Sequence, residues 1–400
     1  MKVSEQCSFR EKNMSIKELD NQYIAHTYGR YPIVLKEGKG ALLFDENGKR
    51  YIDMGSGIGV SAFGSCDSVW VEAVTKQLET LQHTSNLYYT EPCVKLAEIL
   101  CTRTGMKKVF FSNSGAESNE CAIKAARKYG SDNYGNKRTK ILTLVNSFHG
   151  RTITTLAATG QAVFHKDFLP LTSGFDYVEA NNIDDLVEKT KQGDVIAIMF
   201  ETIQGEGGVM PLTKEFVAKI SEIAERDDVL MIVDEVQTGN GRTGSLFGYM
   251  NYGITPDIVT TAKGLGGGLP IGATLLGEKV ENVFVPGSHG STFGGNPVCA
   301  AGAISVIERI DEELLADVRR KSEYIFKSLE GAKGVKSVSG MGLMIGIETE
   351  RANTEILAEA REKGVLALSA KTKVRLLPPL NITDELLAEA IDILKEIIAK

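Results

Sequence analysis

The chain has 400 residues, of which 42% are hydrophobic and 24% are charged, and its formal net charge is −7. This length predicts two structural lobes, and the composition is typical of a soluble globular protein. The acidic balance argues against nucleic acid or an anionic membrane as a partner, because both require a basic surface.

The first twenty residues mix charges with single apolar residues, so we expect no secretory signal there. Six cysteines are scattered at positions 7, 66, 93, 101, 121 and 299 without a C-x-x-C pair. This scatter predicts reduced thiols in a cytoplasmic protein. We find no Cys/His spacing typical of a metal site, and neither H-E-x-x-H nor G-x-S-x-G occurs.

Three regions of different character follow one another along the chain. Residues 40–53 (GALLFDENGKRYID) predict a β-hairpin, because Asn-Gly separates two alternating segments. The middle of the chain alternates short apolar runs with amphipathic stretches, which is typical of βαβ units and a mainly parallel sheet. We predict strands at 108–111, 140–145, 195–200, 229–233 and 257–261, and helices at 117–129 and 213–226. The last third is helix-rich, with long helices predicted at 300–330 and 384–400.

Two charged groups follow neighbouring predicted strands. Strand 229–233 ends in Asp234, and strand 257–261 leads into Lys263 and a run of glycines. Alone, the aspartate is equally a helix cap or a surface ion pair, and a lone lysine usually reaches solvent. Together they match the needs of pyridoxal 5′-phosphate (PLP). The amine forms a Schiff base, and the carboxylate keeps the pyridine nitrogen protonated.

Two further strand ends add weaker signals. Ser114-Gly115-Ala116 opens a predicted helix, where free N–H groups attract an anion, although Ser114-x-x-Glu117 also fits an ordinary capping box. Residues 148–151 (FHGR) offer an aromatic face for stacking and an arginine for a carboxylate. Residues 239–244 (GNGRTG) match a dinucleotide pattern, but no clear helix follows them, so we expect no nucleotide there.

Several segments, taken in order, resemble the class III (ω-amino) aminotransferases of PLP fold type I. They are 43–53, 112–120 (SNSGAESNE), 148–152 (FHGRT), 201–208 (ETIQGEGG), 234–244, 262–273 and 290–297 (GSTFGGNP). The resemblance implies an α/β fold with a large domain around a mainly parallel seven-stranded sheet, and a smaller α+β domain built from both termini. We expect residues 1–55 and 296–400 to form the small domain and residues 56–295 the large PLP-binding domain.

The resemblance also implies the roles of individual residues. Lys263 and Asp234 are the catalytic pair described above. The other implied cofactor contacts are Ser114, Gly115 and Ala116 at the phosphate, Phe148 on the ring, Gln237 at the phenolic oxygen, and His149, Glu201 and Val236 nearby. Thr292 is implied to reach the phosphate from a second subunit. The family therefore implies a homodimer with shared active sites.

Within the family, residues 81–92 and 287–297 look most like the N-acetylornithine aminotransferases of arginine biosynthesis. Arg151 matches the arginine that binds the carboxylate remote from the reacting amine. Arg375 matches the arginine that binds the α-carboxylate of glutamate or 2-oxoglutarate, and Glu206 matches its pairing glutamate. Tyr28 and Ser291 complete the implied substrate contacts. Residues 64–68 (GSCDS) depart from the family's usual G-H-C-H-P.

The expected reaction converts N-acetyl-L-ornithine and 2-oxoglutarate into N-acetyl-L-glutamate 5-semialdehyde and L-glutamate. Ornithine, succinylornithine, 4-aminobutyrate and a carrier-protein-linked lysine are alternative donors that use the same cofactor residues. A relative that moves an amine within one molecule, or a decarboxylase, would differ in its need for 2-oxoglutarate. A PLP-binding regulator would need a DNA-binding module, and only about forty residues precede the family-like core.

Overall fold

The structure is a computed structural model that describes residues 14–400. Residues 1–13, which include Cys7 and most of the segment where we expected no secretory signal, lie outside the described residues. The helices are α1 (Ile16–Tyr23), α2 (Ser56–Gly59), α3 (Ser68–Thr80), α4 (Glu91–Thr104), α5 (Gly115–Tyr134), α6 (Ile153–Ala158), α7 (Ile183–Thr190), α8 (Lys214–Asp227), α9 (Pro297–Ile307), α10 (Glu312–Leu329), α11 (Asn353–Glu362) and α12 (Asp384–Ile398).

Seventeen strands alternate with these helices in the described part of the chain. They are β1 (Leu35–Lys39), β2 (Leu42–Asp45), β3 (Arg50–Asp53), β4 (Lys108–Ser112), β5 (Lys140–Leu144), β6 (Phe175–Val178), β7 (Val195–Phe200), β8 (Ile203–Gln204), β9 (Met210–Pro211), β10 (Leu230–Asp234), β11 (Ile258–Thr261), β12 (Gly272–Leu276), β13 (Val335–Met341), β14 (Met344–Thr349), β15 (Val365–Leu366), β16 (Leu368–Ala370) and β17 (Lys373–Leu376).

The central sheet has seven strands in the order β4-β12-β11-β10-β7-β5-β6. Strand β12 runs antiparallel to both of its neighbours, and the remaining pairs are parallel. This confirms the predicted α/β fold with a mainly parallel seven-stranded sheet. Strands β7 and β10 are buried along their whole length, because helices cover both faces of such a sheet.

The five predicted strands all form, each within one residue of its expected ends. The predicted hairpin is confirmed by the antiparallel pairing of β2 with β3. The single helix predicted over 300–330 is wrong. Helices α9 and α10 replace it, because the Asp311 side chain accepts a hydrogen bond from the Leu314 N–H and so caps a new helix, with Glu312 and Glu313 in its first turn.

Two smaller sheets hold the ends of the described chain together. One has the order β1-β2-β3-β15, in which β15 pairs parallel with β3 and so joins residues near 50 to residues near 365. The other is antiparallel, with the order β13-β14-β17-β16. This pairing is consistent with a small α+β domain built from both termini, and the boundaries 1–55, 56–295 and 296–400 stay a prediction. Across residues 14–400, no helix is both long and apolar enough to span a membrane.

Candidate active site

A cavity of about 440 Å³ opens where β4, β5, β7, β10 and β11 all end. Parallel strands place their carboxyl ends on one edge of the sheet, which is where open α/β sheets bind ligands. The cavity wall includes eleven residues predicted from the sequence, namely Ser114, Gly115, Ala116, Phe148, His149, Arg151, Glu201, Asp234, Val236, Gln237 and Lys263. Predicted side chains that are far apart along the chain therefore lie around one cavity.

Lys263 lies directly beyond β11, at the start of a short 3₁₀ turn that ends at Leu265. Its φ of 44° is in the left-handed region, which is uncommon for a residue other than glycine and is often found at functional sites. Burial lowers the pKa of the Lys263 amine, and Arg375 lowers it further, while Glu206 and Asp234 oppose the shift. A buried amine with a lowered pKa is more readily neutral and thus a better nucleophile.

The Asp234 carboxylate ends β10 and is almost fully buried. Its Oδ2 accepts hydrogen bonds from His149 Nδ1 at 2.8 Å and from Asn119 Nδ2 at 2.7 Å, and its Oδ1 accepts from the Val236 N–H at 3.0 Å. Charge-assisted donors of this kind offset the cost of burying a carboxylate. The Nε2 atom of His149 is buried without a hydrogen-bond partner among the described residues.

Glu201 follows β7 and lies close to His149 and Asp234. Its Oε2 accepts a hydrogen bond from the Phe148 N–H at 3.0 Å, and its Oε1 accepts from the Gly205 N–H at 3.3 Å. Burial raises the pKa of Glu201 to about 7, and His149 acts in the opposite direction. The side chain therefore fixes the backbone of the segment that carries Phe148.

The amino-terminal end of α5 forms a small cradle. Ser114 caps the helix, because its Oγ accepts a hydrogen bond from the Glu117 N–H at 3.2 Å. The Glu117 carboxylate accepts a hydrogen bond from the Asn113 N–H at 2.7 Å. In a regular capping box the Ser114 N–H would be this donor, so the bond here goes to the residue before the cap. A first helical turn has no preceding carbonyls for its N–H groups, so Gly115 and Ala116 are suited to bind an anion. A Cβ on Gly115 would lie 2.6 Å from Val236 Cγ1, so any larger residue would force the start of α5 or Val236 to move.

Buried Arg375 and partly exposed Glu206 form an ion pair at the cavity's edge. Arg375 on β17 donates from Nη1 to Glu206 Oε1 at 2.6 Å and to Gln237 Oε1 at 3.0 Å. Burial acts to raise the pKa of Glu206, but Arg375 outweighs it and holds the pKa below its usual value. Arg375 Nε is buried without a partner among the described residues, and so retains hydrogen-bonding capacity.

A second arginine lies on the cavity wall beside aromatic rings. Arg151 is exposed, with its guanidinium carbon 4.3 Å from the Phe164 ring centre and 5.5 Å from that of Phe148. The Phe148 and Phe164 rings meet edge to face at 5.9 Å. None of the ion pairs of residues 14–400 involves Arg151, so its charge is available to a carboxylate from solution.

Three predicted residues do not line this cavity within the single chain, although one of them, Ser291, bonds to the lining residue Asn113. Tyr28 is 73% exposed and lies in a groove formed by residues 16–34. Thr292 is exposed, and Ser291 Oγ accepts hydrogen bonds from Asn113 Nδ2 at 3.2 Å and from the Gly294 N–H at 2.9 Å. The role of Thr292 towards a second subunit stays a prediction. The roles of Tyr28 and Ser291 stay predictions.

Asn119 is a site residue that the sequence reasoning missed. It lines the cavity and donates a hydrogen bond to Asp234, but the sequence patterns include it only as part of the 112–120 segment. The available signal was a polar residue among small apolar residues on the buried face of α5, where Cys121, Ala122 and Ile123 follow it. A buried polar side chain in such a place requires partners.

The residues present fit a PLP molecule. The cradle at α5 suits a phosphate, and the Asp234 carboxylate suits a protonated ring nitrogen. Phe148 and Val236 both line the cavity and supply apolar surface for a flat ring, and Lys263 supplies a buried amine. The cavity volume lies in the range typical of small-molecule sites.

The chain belongs to the class-III aminotransferases. The model of that family, described as aminotransferase class-III, matches residues 23–398. An acetylornithine aminotransferase of Haemophilus ducreyi is 49% identical over 387 residues, covering 96% of this chain and 98% of that one. The acetylornithine aminotransferase of Aquifex aeolicus is 47% identical and covers 94% and 100% of the two chains.

Solved structures agree with this assignment. The ornithine aminotransferase of Toxoplasma gondii ME49 superimposes with a TM-score of 0.92 at 30% identity, covering 97% of this chain and 96% of that one. The N-acetylornithine aminotransferase of Stenotrophomonas maltophilia K279a gives a TM-score of 0.82 at 36% identity, with 96% and 98% covered. The chain is thus a PLP-dependent transaminase in fold and family.

Proposed function

We propose that this enzyme transfers the δ-amino group of N-acetyl-L-ornithine to 2-oxoglutarate, giving N-acetyl-L-glutamate 5-semialdehyde and L-glutamate. The observation that carries the proposal is the Glu206–Arg375 pair at the edge of the Lys263 cavity, with unpaired Arg151 on the cavity wall. The two substrates differ in their carboxylates, because 2-oxoglutarate has two and N-acetylornithine has one. Two arginines, one of them paired with a glutamate, suit a pocket that must accept both. The acetylornithine aminotransferases at 41–49% identity support the same donor.

PLP supplies an electron-accepting ring that makes a proton on the adjacent substrate carbon acidic. Lys263 would hold the cofactor through its amine, and the same amine, when free, would move that proton as general base and acid. Its lowered pKa favours this role, because a neutral amine is needed to accept the proton. Asp234 holds a proton at the ring nitrogen, and Ser114, Gly115 and Ala116 bind the phosphate.

Arg151 and Arg375 orient the two substrates. With N-acetylornithine bound, Arg151 holds its carboxylate and Glu206 neutralises Arg375, so the δ-amine points towards Lys263. With 2-oxoglutarate bound, the Glu206 side chain releases Arg375, which then binds the α-carboxylate in a bidentate pair. Glu206 is 31% exposed, which leaves it room to rotate away.

We further propose a homodimer that completes the site. Large apolar side chains near Thr292 are exposed, among them Leu87, Tyr88, Tyr89 and Phe293. Asn86 ties their two segments together, because its Nδ2 donates to the carbonyls of Ser291 at 3.0 Å and Gly294 at 2.9 Å. A contiguous apolar patch of this kind is typical of a protein interface. The cytoplasmic location and the three domain segments are proposed on the sequence patterns already given.

A second donor, ornithine, is favoured by one observation, the high structural similarity to the Toxoplasma gondii ornithine aminotransferase. Half-reactions separate the two. Purified protein saturated with PLP should show a visible absorbance band that bleaches with N-acetylornithine and returns with 2-oxoglutarate. Bleaching with ornithine alone would keep the mechanism and change the donor. Without any band after PLP is added, the roles of Lys263 and Asp234 would be wrong.

Reduction with borohydride provides a second readout. In a peptide map, Lys263 should be the residue that carries the reduced cofactor, and the Lys263→Ala variant should carry no reduced cofactor. Lys373 is a suitable internal comparison, because it is a buried lysine on the strand of Arg375 whose Nζ donates to Ser339 Oγ at 2.7 Å, outside the cavity. Label on Lys373 instead of Lys263 would contradict the assignment.

A further inference from the structure

Asn119 lies where helix α5 crosses the ends of β10 and β11. Its side chain is 1% exposed and makes three hydrogen bonds. The Nδ2 atom donates to Asp234 Oδ2 and to the His149 carbonyl, each at 2.7 Å. The Oδ1 atom accepts from Thr260 Oγ1, also at 2.7 Å. One side chain thus joins α5, both strand ends and the loop that carries Phe148 and His149.

These partners fix the orientation of the amide. If the amide were turned over, its oxygen would face the Asp234 carboxylate and the His149 carbonyl, and three acceptors would meet without a donor. The Thr260 hydroxyl reinforces the observed orientation by donating to the other end. Thr260 and Asp234 are directly paired across β11 and β10, so the hydroxyl and the carboxylate are held in register by the sheet.

The carboxylate is consequently held from several sides. Asn119 and His149 both donate to Oδ2, and the Val236 N–H donates to Oδ1, each from a different segment of the chain. Oδ1 keeps acceptor capacity, and Asp234 lines the cavity. A carboxylate with its donors already in place needs little reorganisation when a cationic ring nitrogen arrives.

Helix α5 also carries the phosphate cradle. Gly115 and Asn119 are four residues apart, so they lie on one face of the helix about one turn from each other. The distance between the phosphate end of the site and the support of Asp234 is therefore set by a rigid helical turn.

We propose that Asn119, oriented by Thr260, is a positioning residue that holds the Asp234 carboxylate towards the ring nitrogen of PLP. The inference rests on the role proposed above for Asp234 and deepens it. Loss of Asn119 leaves Asp234 with one donor fewer at Oδ2 and free to turn. The carboxylate would then hold the ring proton less well, and a less positive ring would withdraw less electron density from Lys263 Nζ.

Two readouts follow from this and do not depend on turnover. In Asn119→Ala, the Kd of the apoprotein for PLP should rise about tenfold, the range expected for one charged hydrogen bond. The pH midpoint of the visible band of the PLP-bound protein should move upward. Thr260→Val should shift both readouts in the same directions but less, and Thr260→Ser, which keeps the hydroxyl, should restore them.

Thr274→Val is the matched control. Thr274 lies opposite Thr260 on β12, is equally buried, and donates its hydroxyl to the Ser118 carbonyl of the same helix at 2.8 Å. The Thr274→Val variant loses the same kind of hydrogen bond, but one that joins neither Asn119 nor Asp234. Its Kd for PLP and the pH midpoint of its visible band should therefore stay at the wild-type values.

The outcomes separate the inference from the function on which it rests. Wild-type affinity and midpoint in Asn119→Ala would overturn the inference, as would equal shifts in Thr260→Val and Thr274→Val. If Asn119→Ala does not fold, the contrast between Thr260→Val and Thr260→Ser decides. If instead the wild-type protein shows no PLP band, or Asp234→Ala keeps the wild-type midpoint, the proposed function itself fails.

Discussion

Arg375 Nη1 lies 2.6 Å from Glu206 Oε1, and this ion pair brings a small antiparallel sheet into contact with the segment that follows β8. The Arg375 side chain is 3% exposed, so its hydrogen bonds depend on protein or substrate groups rather than on bulk water. A buried charge that loses its partner is costly, and for that reason the pair can act as an exchangeable cover for a carboxylate site.

Glu206→Ala should change substrate selectivity. Without its carboxylate partner, Arg375 binds the α-carboxylate of glutamate with no competitor, while an N-acetylornithine complex leaves the guanidinium unpaired. The ratio of kcat/KM for glutamate to that for N-acetylornithine should rise about tenfold, which corresponds to one charge-assisted hydrogen bond. Half-reaction kinetics with each amine measure it.

Glu348→Gln is a suitable control for that experiment. Glu348 lies on β14 in the same sheet, and its Oε2 accepts a hydrogen bond from Thr372 Oγ1 at 3.0 Å, outside the cavity. The control should keep the wild-type ratio. An unchanged ratio in Glu206→Ala would remove the proposed exchange from the mechanism.

Gly115→Ala should weaken PLP binding. Its added methyl group would lie 2.6 Å from Val236 Cγ1, so either the start of α5 or the valine must move. Both line the cavity, and we expect the Kd for PLP to rise about tenfold, as for overpacking of a well-packed site.

Val236→Ala provides the companion variant, because it removes the methyl groups that the new Cβ would meet. The double variant Gly115→Ala/Val236→Ala should bind PLP as well as Val236→Ala alone, which is a non-additive result. Additive losses would mean that the contact between these two positions is not the cause.

Three of the proposed site residues could be predicted because their positions follow from strand order. Glu201 and Asp234 each come directly after a fully apolar run, and Lys263 comes two residues after the end of β11. Parallel strands end at one edge of the sheet. Strand β12 was not singled out from the local pattern. The strand has only five residues, and all of them are buried. Its antiparallel direction depends on its neighbours β4 and β11 rather than on its own residues.

Other parts of the site depend on tertiary or quaternary contacts. The role of Asn119 requires α5 to cross β10 and β11, and no local pattern encodes that crossing. Thr292 lies outside the cavity of one chain, so its predicted role depends on a second copy, and Tyr28 lies outside the same cavity. The break between α9 and α10 was different, because the cap at Asp311 is a local signal that the apolar periodicity of the flanking helices obscured.

Glu235 should make the stability of the fold depend on pH. It is fully buried, and its carboxylate accepts hydrogen bonds from Thr238 Oγ1 at 2.6 Å and from the N–H groups of Gly248 and Tyr249 at 2.8 and 2.7 Å. Burial nevertheless raises the pKa of Glu235 to about 7. In the unfolded chain the pKa is about 4.3.

Because the folded pKa is the higher one, Glu235 stabilises the fold below about pH 4.3, and this contribution is lost as the pH rises through about 7. Glu235→Gln stays neutral throughout. Between pH 5 and 8 the wild-type protein should therefore lose up to about 3 kcal/mol of unfolding free energy relative to the variant. Denaturant unfolding at several pH values tests this, and a constant difference would contradict the raised pKa. Glu201 titrates in the same range but is present in both proteins.

Mixed dimers can test whether Thr292 acts across the proposed interface. Lys263→Ala removes the amine from one chain, and Thr292→Glu places a negative charge where we propose that the PLP phosphate of the partner lies. Each variant alone should be inactive as a homodimer. After unfolding and refolding together, a mixed dimer has one site with an intact Lys263 from one chain and an intact Thr292 from the other.

With random pairing, about half of the dimers are mixed and each has one intact site, so an equal mixture should recover about a quarter of the wild-type activity. Refolding each variant alone controls for recovery during the procedure. If both variants are inactive alone, a mixture without activity would mean that Thr292 serves the cavity of its own chain. Tyr88 and Tyr89, which are exposed in the single chain, give an independent readout. If a dimer buries them, they should be protected from chemical modification in the wild-type protein. Recovery of activity together with that protection would establish the shared site.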